Sequence, residues 1–157
     1  MNFSRLRKYK QLLAESGKNM GGELIMVVDD NPVNLKLVRV LLMKKGYEVY
    51  TATDADEALA LLERVHPHLI LMDIQLPGID GLTLTRRLKA DPATCDIIIV
   101  ALTAYAMKVD EQKAREAGCA GYIPKPIETR TFIDTLTRLL AVRMGAAGSQ
   151  IDAANLH

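Results

Sequence analysis

A chain of 157 residues suits one domain of ordinary size, and with 49% apolar residues it can bury a substantial core. The formal net charge of +1 hides an asymmetry: Arg5, Arg7, Lys8, Lys10 and Lys18 against Glu15 give residues 1–20 a net +4, Arg143 balances Asp152 in residues 141–157, and the stretch between is left at about −3. That body has no basic footprint for direct DNA binding, and no apolar run approaches the ~18 residues of a membrane span. The charged N-terminus is followed by no apolar signal core. Cys95 and Cys119, without paired spacing, read as reduced thiols of a cytoplasmic protein rather than a disulfide framework or zinc site.

Residues 1–22 form a basic extension with Phe3, Leu6, Leu12 and Leu13, closed by Gly21-Gly22. A solvated helix is one reading of it; a helix that contacts a partner or a second copy in a homodimer is another. From Leu24 the pattern changes. LIMVV (24–28) is a dense apolar run, short enough for a strand buried on both faces, and it ends in Asp29-Asp30. Asn31 as cap and Pro32 at the first helical position open a helix. Its apolar residues Val33, Leu37, Val40 and Leu41 recur at helical spacing, and Gly46 stops it.

YEVYTA (47–52) is a second strand, and Thr53 is expected to cap a helix with Ala58, Leu59 and Leu62 inward. HLILM (68–72) is a third strand that runs into Asp73 and then a turn through Pro77, Gly78 and Gly81, with a short helix near 81–89. His66 and His68 beside Pro67 are expected to be solvated. DIIIVAL (96–102) is a fourth strand followed by Thr103, and a helix near 106–117 stops at Gly118. AGYI (120–123) is a short fifth strand, followed by Lys125-Pro126 and a last helix near 127–141 built on Ile127, Phe132, Ile133, Leu136, Leu139 and Leu140. The remainder, 142–157, is rich in Gly, Ala and Ser from 144 on and is expected to be a flexible tail.

Five βα units between 23 and 141 imply an α/β domain: a parallel sheet with helices on both faces. In such sheets ligands bind at the carboxyl ends of the strands. Asp29, Asp30, Asp73, Thr103 and Lys125 all stand at those ends and should converge on one edge. Three carboxylates so close repel one another and call for a cation; hard oxygen ligands with room for water favour Mg²⁺. The set suits phosphoryl chemistry. Asp73, alone on the central strand, is the candidate nucleophile, Asp29 and Asp30 suit metal holding, and Lys125 supplies fixed positive charge.

VVDDNPVN, LILMDIQLPGIDG, ALTAYAM and GYIPKPI, in this order and spacing, resemble the receiver domains of two-component response regulators over about residues 23–141. Within that family the run of MDIQLP, TAYAMK and GCAGYIPKPI is most similar to single-domain DivK-like and chemotaxis-type regulators and to receivers of hybrid histidine kinases. The resemblance implies a flavodoxin-like (βα)5 doubly wound fold with strand order 2-1-3-4-5. It implies Asp73 as phosphoacceptor and Mg²⁺ held by Asp30 directly, by Asp29 mainly through water, by Asp73 and by the backbone carbonyl of Gln75. Thr103 would hydrogen-bond the phosphoryl oxygen, Lys125 would pair with the phosphoryl group through a loop with a cis bond to Pro126, and Tyr122 would be the switch aromatic. Gln75 and Tyr105 would tune hydrolysis, a bulky Tyr105 slowing it.

The expected partner upstream is a histidine kinase or histidine phosphotransfer protein. Downstream it is an effector protein that reads the face of the fourth helix, fifth strand and fifth helix, since 142–157 is too short for an output domain. The chain would be a phosphoacceptor with self-catalysed phosphotransfer rather than an enzyme. Three rivals stand beside this reading. One is a docking module indifferent to phosphorylation, and another is a receiver fragment of a hybrid histidine kinase. The third is a haloacid dehalogenase-type phosphatase, whose DxDx(T/V) pattern DDNPV does not fit.

Overall fold

The computed structural model of the chain describes residues 22–104 and 108–146. Tyr105, the basic extension up to residue 21 and the tail from 147 lie outside the described residues. Strands and helices alternate: β1 (Leu24–Val28), α1 (Pro32–Lys44), β2 (Glu48–Ala52), α2 (Ala55–Leu62), β3 (Leu69–Asp73), α3 (Gly81–Ala90), β4 (Ile98–Thr103), α4 (Lys108–Ala117), β5 (Gly121–Pro124) and α5 (Thr129–Ala146). All pairings are parallel and the sheet order is β2-β1-β3-β4-β5, as expected from the motifs.

Every residue of β1, β3 and β4 is buried, which is why these strands read as unbroken apolar runs. One face of the sheet (Ile25, Val27, Leu69, Leu71, Val100, Leu102) is covered by Leu35, Val38 and Leu42 of α1 and by Phe132, Leu136 and Leu140 of α5. The other (Met26, Val28, Ile70, Met72, Ile99, Ala101) takes Ala55 and Ala58 of α2, Leu82, Leu84 and Leu88 of α3, and Ala114 and Ala117 of α4. Burying Phe132 or Leu136 contributes about 1.5–3 kcal/mol each.

Four local expectations are corrected. The inward face of α1 is Leu35, Val38 and Leu42, whereas Val33, Leu37 and Val40 of the expected stripe are exposed and Leu41 is only partly buried. Helix α2 is capped by Asp54, which accepts from the Glu57 N–H at 2.8 Å; Thr53 sits one residue outside and donates its own N–H to Glu57 Oε1 at 2.7 Å. Asp54 stands three residues before Glu57, the spacing at which a cap oxygen reaches the third N–H of a helix, while the Glu57 side chain reaches back past it to Thr53. His68 is not a free loop residue: its Nδ1 accepts the Leu24 N–H at 3.1 Å, and His66 pairs with Asp96 at 3.0 Å. Finally, α5 continues to Ala146, so 142–146 are helical rather than tail; no breaker precedes Gly145.

Asn31 has the expected place before Pro32, with Oδ1 accepting from Val33 N at 2.9 Å and Asn34 N at 3.3 Å. Asn31→Ala is expected to lower stability by about 1 kcal/mol in urea unfolding, since the first turn of α1 loses its acceptor.

Candidate functional site

The carboxyl ends of β1, β3 and β4 and the residues just after β5 meet at one sheet edge. Asp73 is the last residue of β3, paired in register with Leu102, so Thr103 stands one step beyond it on the neighbouring strand. Lys125 follows β5, and its N–H donates to the Thr103 carbonyl at 2.7 Å. The Lys125-Pro126 bond is cis, as the motif implied. The backbone therefore brings residues from four segments to one spot before any side chain is considered.

Carboxylate oxygens of Asp29, Asp30 and Asp73 all lie within 4.8 Å of one another. Asp29 is fully buried and Asp73 nearly so, while Asp30 is exposed. Lys125 Nζ bridges the two buried carboxylates, 3.2 Å from Asp29 Oδ2 and 3.0 Å from Asp73 Oδ2. The other Asp73 oxygen, Oδ1, accepts the Gln75 N–H at 2.9 Å. Asp29 is pinned further by the Asn31 N–H at 2.9 Å and the Asn34 amide at 3.3 Å.

Burial pushes the Asp73 carboxyl up to about 6; the Gln75 N–H and Lys125 pull it down, and Asp29 pushes it up again. Burial alone would lower the Lys125 ammonium, but contact with Asp73 and then Asp29 raises it above its usual value. Lysine is thus held charged beside a carboxylate kept more basic than usual. Three carboxylates and one ammonium leave the cluster short of positive charge, and the exposed Asp30 leaves it open to solvent. That donor set fits a hard divalent cation.

Of the other expected site residues, Thr103 is buried at the end of β4. Tyr122 lies lower in the sheet, opposite Ala101 and half-buried, on the wall of a cavity of about 270 Å³ with Glu111, Arg115 and Arg138. Tyr105 lies outside the described residues. Asn34 was missed as a site residue: the only cue was its place one turn into a helix whose start abuts Asp29-Asp30. Gly81 was noted only as part of a turn.

A family model described as the response regulator receiver domain matches residues 25–137. The polar-differentiation response regulator DivK of Brucella ovis is 47% identical over 116 residues, 74% of this chain and 94% of that protein. Among solved structures, the chemotaxis response regulator CheY4 of Vibrio cholerae superposes with a TM-score of 0.71 at 28% identity, covering 74% of this chain and 97% of that one. The receiver domain of a sensor histidine kinase of Pseudomonas aeruginosa, solved with a magnesium ion coordinated in its active-site cleft, superposes with a TM-score of 0.67 at 34% identity, covering 78% and 98%. Fold, strand order, motifs and these likenesses agree, and the chain belongs to the response regulator receiver family.

Proposed function

We propose that the chain is a phosphorylation-controlled switch of a cytoplasmic phosphorelay, with Asp73 as phosphoacceptor. The observation that carries the reading is Lys125 Nζ bridging Asp29 and Asp73, with Asp30 close enough to share a cation. A donor histidine kinase or phosphotransfer protein presents a phosphohistidine. An Asp73 carboxylate oxygen attacks phosphorus, the O–P bond forms as the N–P bond breaks, and the imidazole leaves with the electron pair and takes up a proton. Burial aids the attack, because it keeps the carboxylate basic.

Asp30, Asp29, Asp73 and the Gln75 carbonyl would hold Mg²⁺, which when bound supplies charge neutralisation for the phosphoryl oxygens. Lys125 supplies the same from the protein side, and the Thr103 hydroxyl donates to a phosphoryl oxygen. The product carries about −1.5 to −2 charge, which draws Thr103 and Lys125 toward it. Space vacated near β4 lets Tyr122 turn inward, and the α4–β5–α5 surface, with Glu111, Arg115 and Arg138 beside the ring, changes for an effector protein. This is a two-state shift biased by one group. The chain turns over no separate substrate; it is modified and slowly hydrolyses itself, with Gln75 and Tyr105 tuning that rate.

Incubation with acetyl phosphate and Mg²⁺ tests the reading. Intact mass should rise by one phosphoryl group, and chelation of the metal should prevent it; no gain in mass would end the proposal.

Helix α1 supports a docking face for the donor. Val33, Leu37, Val40 and Met43 are 74, 40, 46 and 54% exposed, on the helix whose first turn adjoins Asp30. Val40→Glu is expected to slow transfer from the donor protein roughly tenfold, the size of a modest interface contact, and to leave labelling by acetyl phosphate unchanged. Transfer assays with both donors, run side by side, check this.

A further inference from the structure

The loop after β3 returns the chain to the backbone it has just left. Gly81, the first residue of α3, is buried, and its N–H donates to the Ile74 carbonyl at 2.9 Å. A Cβ at Gly81 would overlap the Asp73 carbonyl oxygen and stand 2.9 Å from the Asp73 carbonyl carbon and 3.0 Å from the Ile74 Cα. These neighbours are main chain, not the yielding end of a side chain. By contrast, a Cβ at Gly118 or Gly121 would meet only the side chains of Lys89 or Leu139, and one at Gly78 would meet nothing within 4 Å.

Backbone conformation does not explain the glycine. Gly78 and Gly118 have positive φ, and Gly81 does not. At a helix start alanine would be at least as favourable by propensity. What glycine allows here is contact. Neither side of that contact can move cheaply. Asp73 is locked into the sheet opposite Leu102, and the Ile74 N–H donates to the Leu102 carbonyl at 3.0 Å. Helix α3 is held by buried Leu82, Leu84 and Leu88, and the fully buried Thr85 donates its hydroxyl to the Gly81 carbonyl at 2.8 Å.

We infer that Gly81 is a positioning residue for Asp73: its missing side chain lets the first turn of α3 rest on the Asp73–Ile74 peptide and so fixes the direction of the aspartate and of the Gln75 N–H that holds it. The inference rests on Asp73 being the phosphoacceptor. A side chain at 81 must push either α3 or the Asp73–Gln75 corner, and the second displaces the nucleophile and the metal-facing backbone together.

The test compares wild type, Gly81→Ala and Leu140→Ala, labelled by acetyl phosphate across a Mg²⁺ titration, with the folded fraction measured by circular dichroism. Gly81→Ala should be labelled roughly tenfold or more slowly per folded molecule, the cost of misplacing a reacting group by a fraction of an ångström to an ångström, and should need more Mg²⁺ for half-maximal rate. Leu140→Ala, a core truncation on α5 across the sheet, should lower the melting temperature while leaving the rate per folded molecule and the Mg²⁺ dependence as in wild type. Wild-type rate and Mg²⁺ dependence in Gly81→Ala would overturn the inference. A wild-type chain that takes no label would instead defeat the phosphoacceptor reading. Should Gly81→Ala not fold, Thr85→Val, which releases the Gly81 carbonyl, should show a smaller shift in the same two quantities; unchanged values there would overturn the inference.

Discussion

Asp73→Asn is expected to take up no detectable phosphoryl group from acetyl phosphate and Mg²⁺ under conditions that label the wild type. The amide can still accept the Gln75 N–H, as Asp73 Oδ1 does at 2.9 Å, so the loop has no reason to rearrange. What is lost is the charge that attacks phosphorus. The same substitution should stabilise the protein in the absence of metal. The Asp73 carboxyl is raised from 3.8 to about 6, first by burial, so the folded state holds its proton more tightly than the unfolded chain does. The stabilisation this gives is complete below about pH 4. It is lost as pH rises through 6, and at pH 7 the folded state bears the full cost of a buried anion, up to ~3 kcal/mol. Unfolding of both proteins in chelator from pH 4 to 8 checks this. The wild type should lose stability over that window relative to Asp73→Asn, and Mg²⁺ at pH 7 should restore more stability to the wild type than to the variant. A variant that is labelled would remove Asp73 from its role.

The elements and their order were legible because β1, β3 and β4 are buried on both faces, and nothing but a short apolar run satisfies that. Asp29, Asp30 and Asp73 stood out for the same reason: each interrupts or ends such a run. The face of α1 was not legible. Eight of its thirteen residues are apolar, so two stripes at helical spacing overlap, and only the packing against Ile25 and Val27 selects Leu35, Val38 and Leu42. The α2 cap was a choice between two adjacent cap formers, settled by the distance to Glu57. The role of Asn34 depends on a side-chain bond to Asp29 across one helical turn, and that of Gly81 on a backbone approach. Neither leaves a mark in hydrophobic pattern, although both lie within the motifs that carried the family resemblance.

Lys125→Ala is expected to bind Mg²⁺ more tightly than the wild type while being labelled more slowly and failing to switch. The ammonium neutralises Asp29 and Asp73 in the metal-free protein, at 3.2 and 3.0 Å. A cation entering the cluster meets both the carboxylates and this competing charge. Removing the charge leaves three carboxylates within 4.8 Å of one another without the ammonium that bridges two of them. Two results follow from that arrangement. The metal-free variant should lose roughly 3 kcal/mol at pH 7, as when one partner of a buried pair is deleted, with the Asp73 carboxyl displaced further upward because Lys125 is one of the groups that pulls it down. Mg²⁺ should then restore most of the loss, with an affinity roughly tenfold or more higher than in the wild type, since one repelling unit charge is gone at close range. Calorimetric titration with Mg²⁺ and unfolding with and without the metal measure both. The gain in metal binding must not carry over to phosphoryl transfer, where the ammonium stabilises the oxygens of the transferring group. An affinity equal to or weaker than that of the wild type would show that Lys125 and the cation do not share the same carboxylates, and the charge balance on which the switch depends would have to be drawn differently.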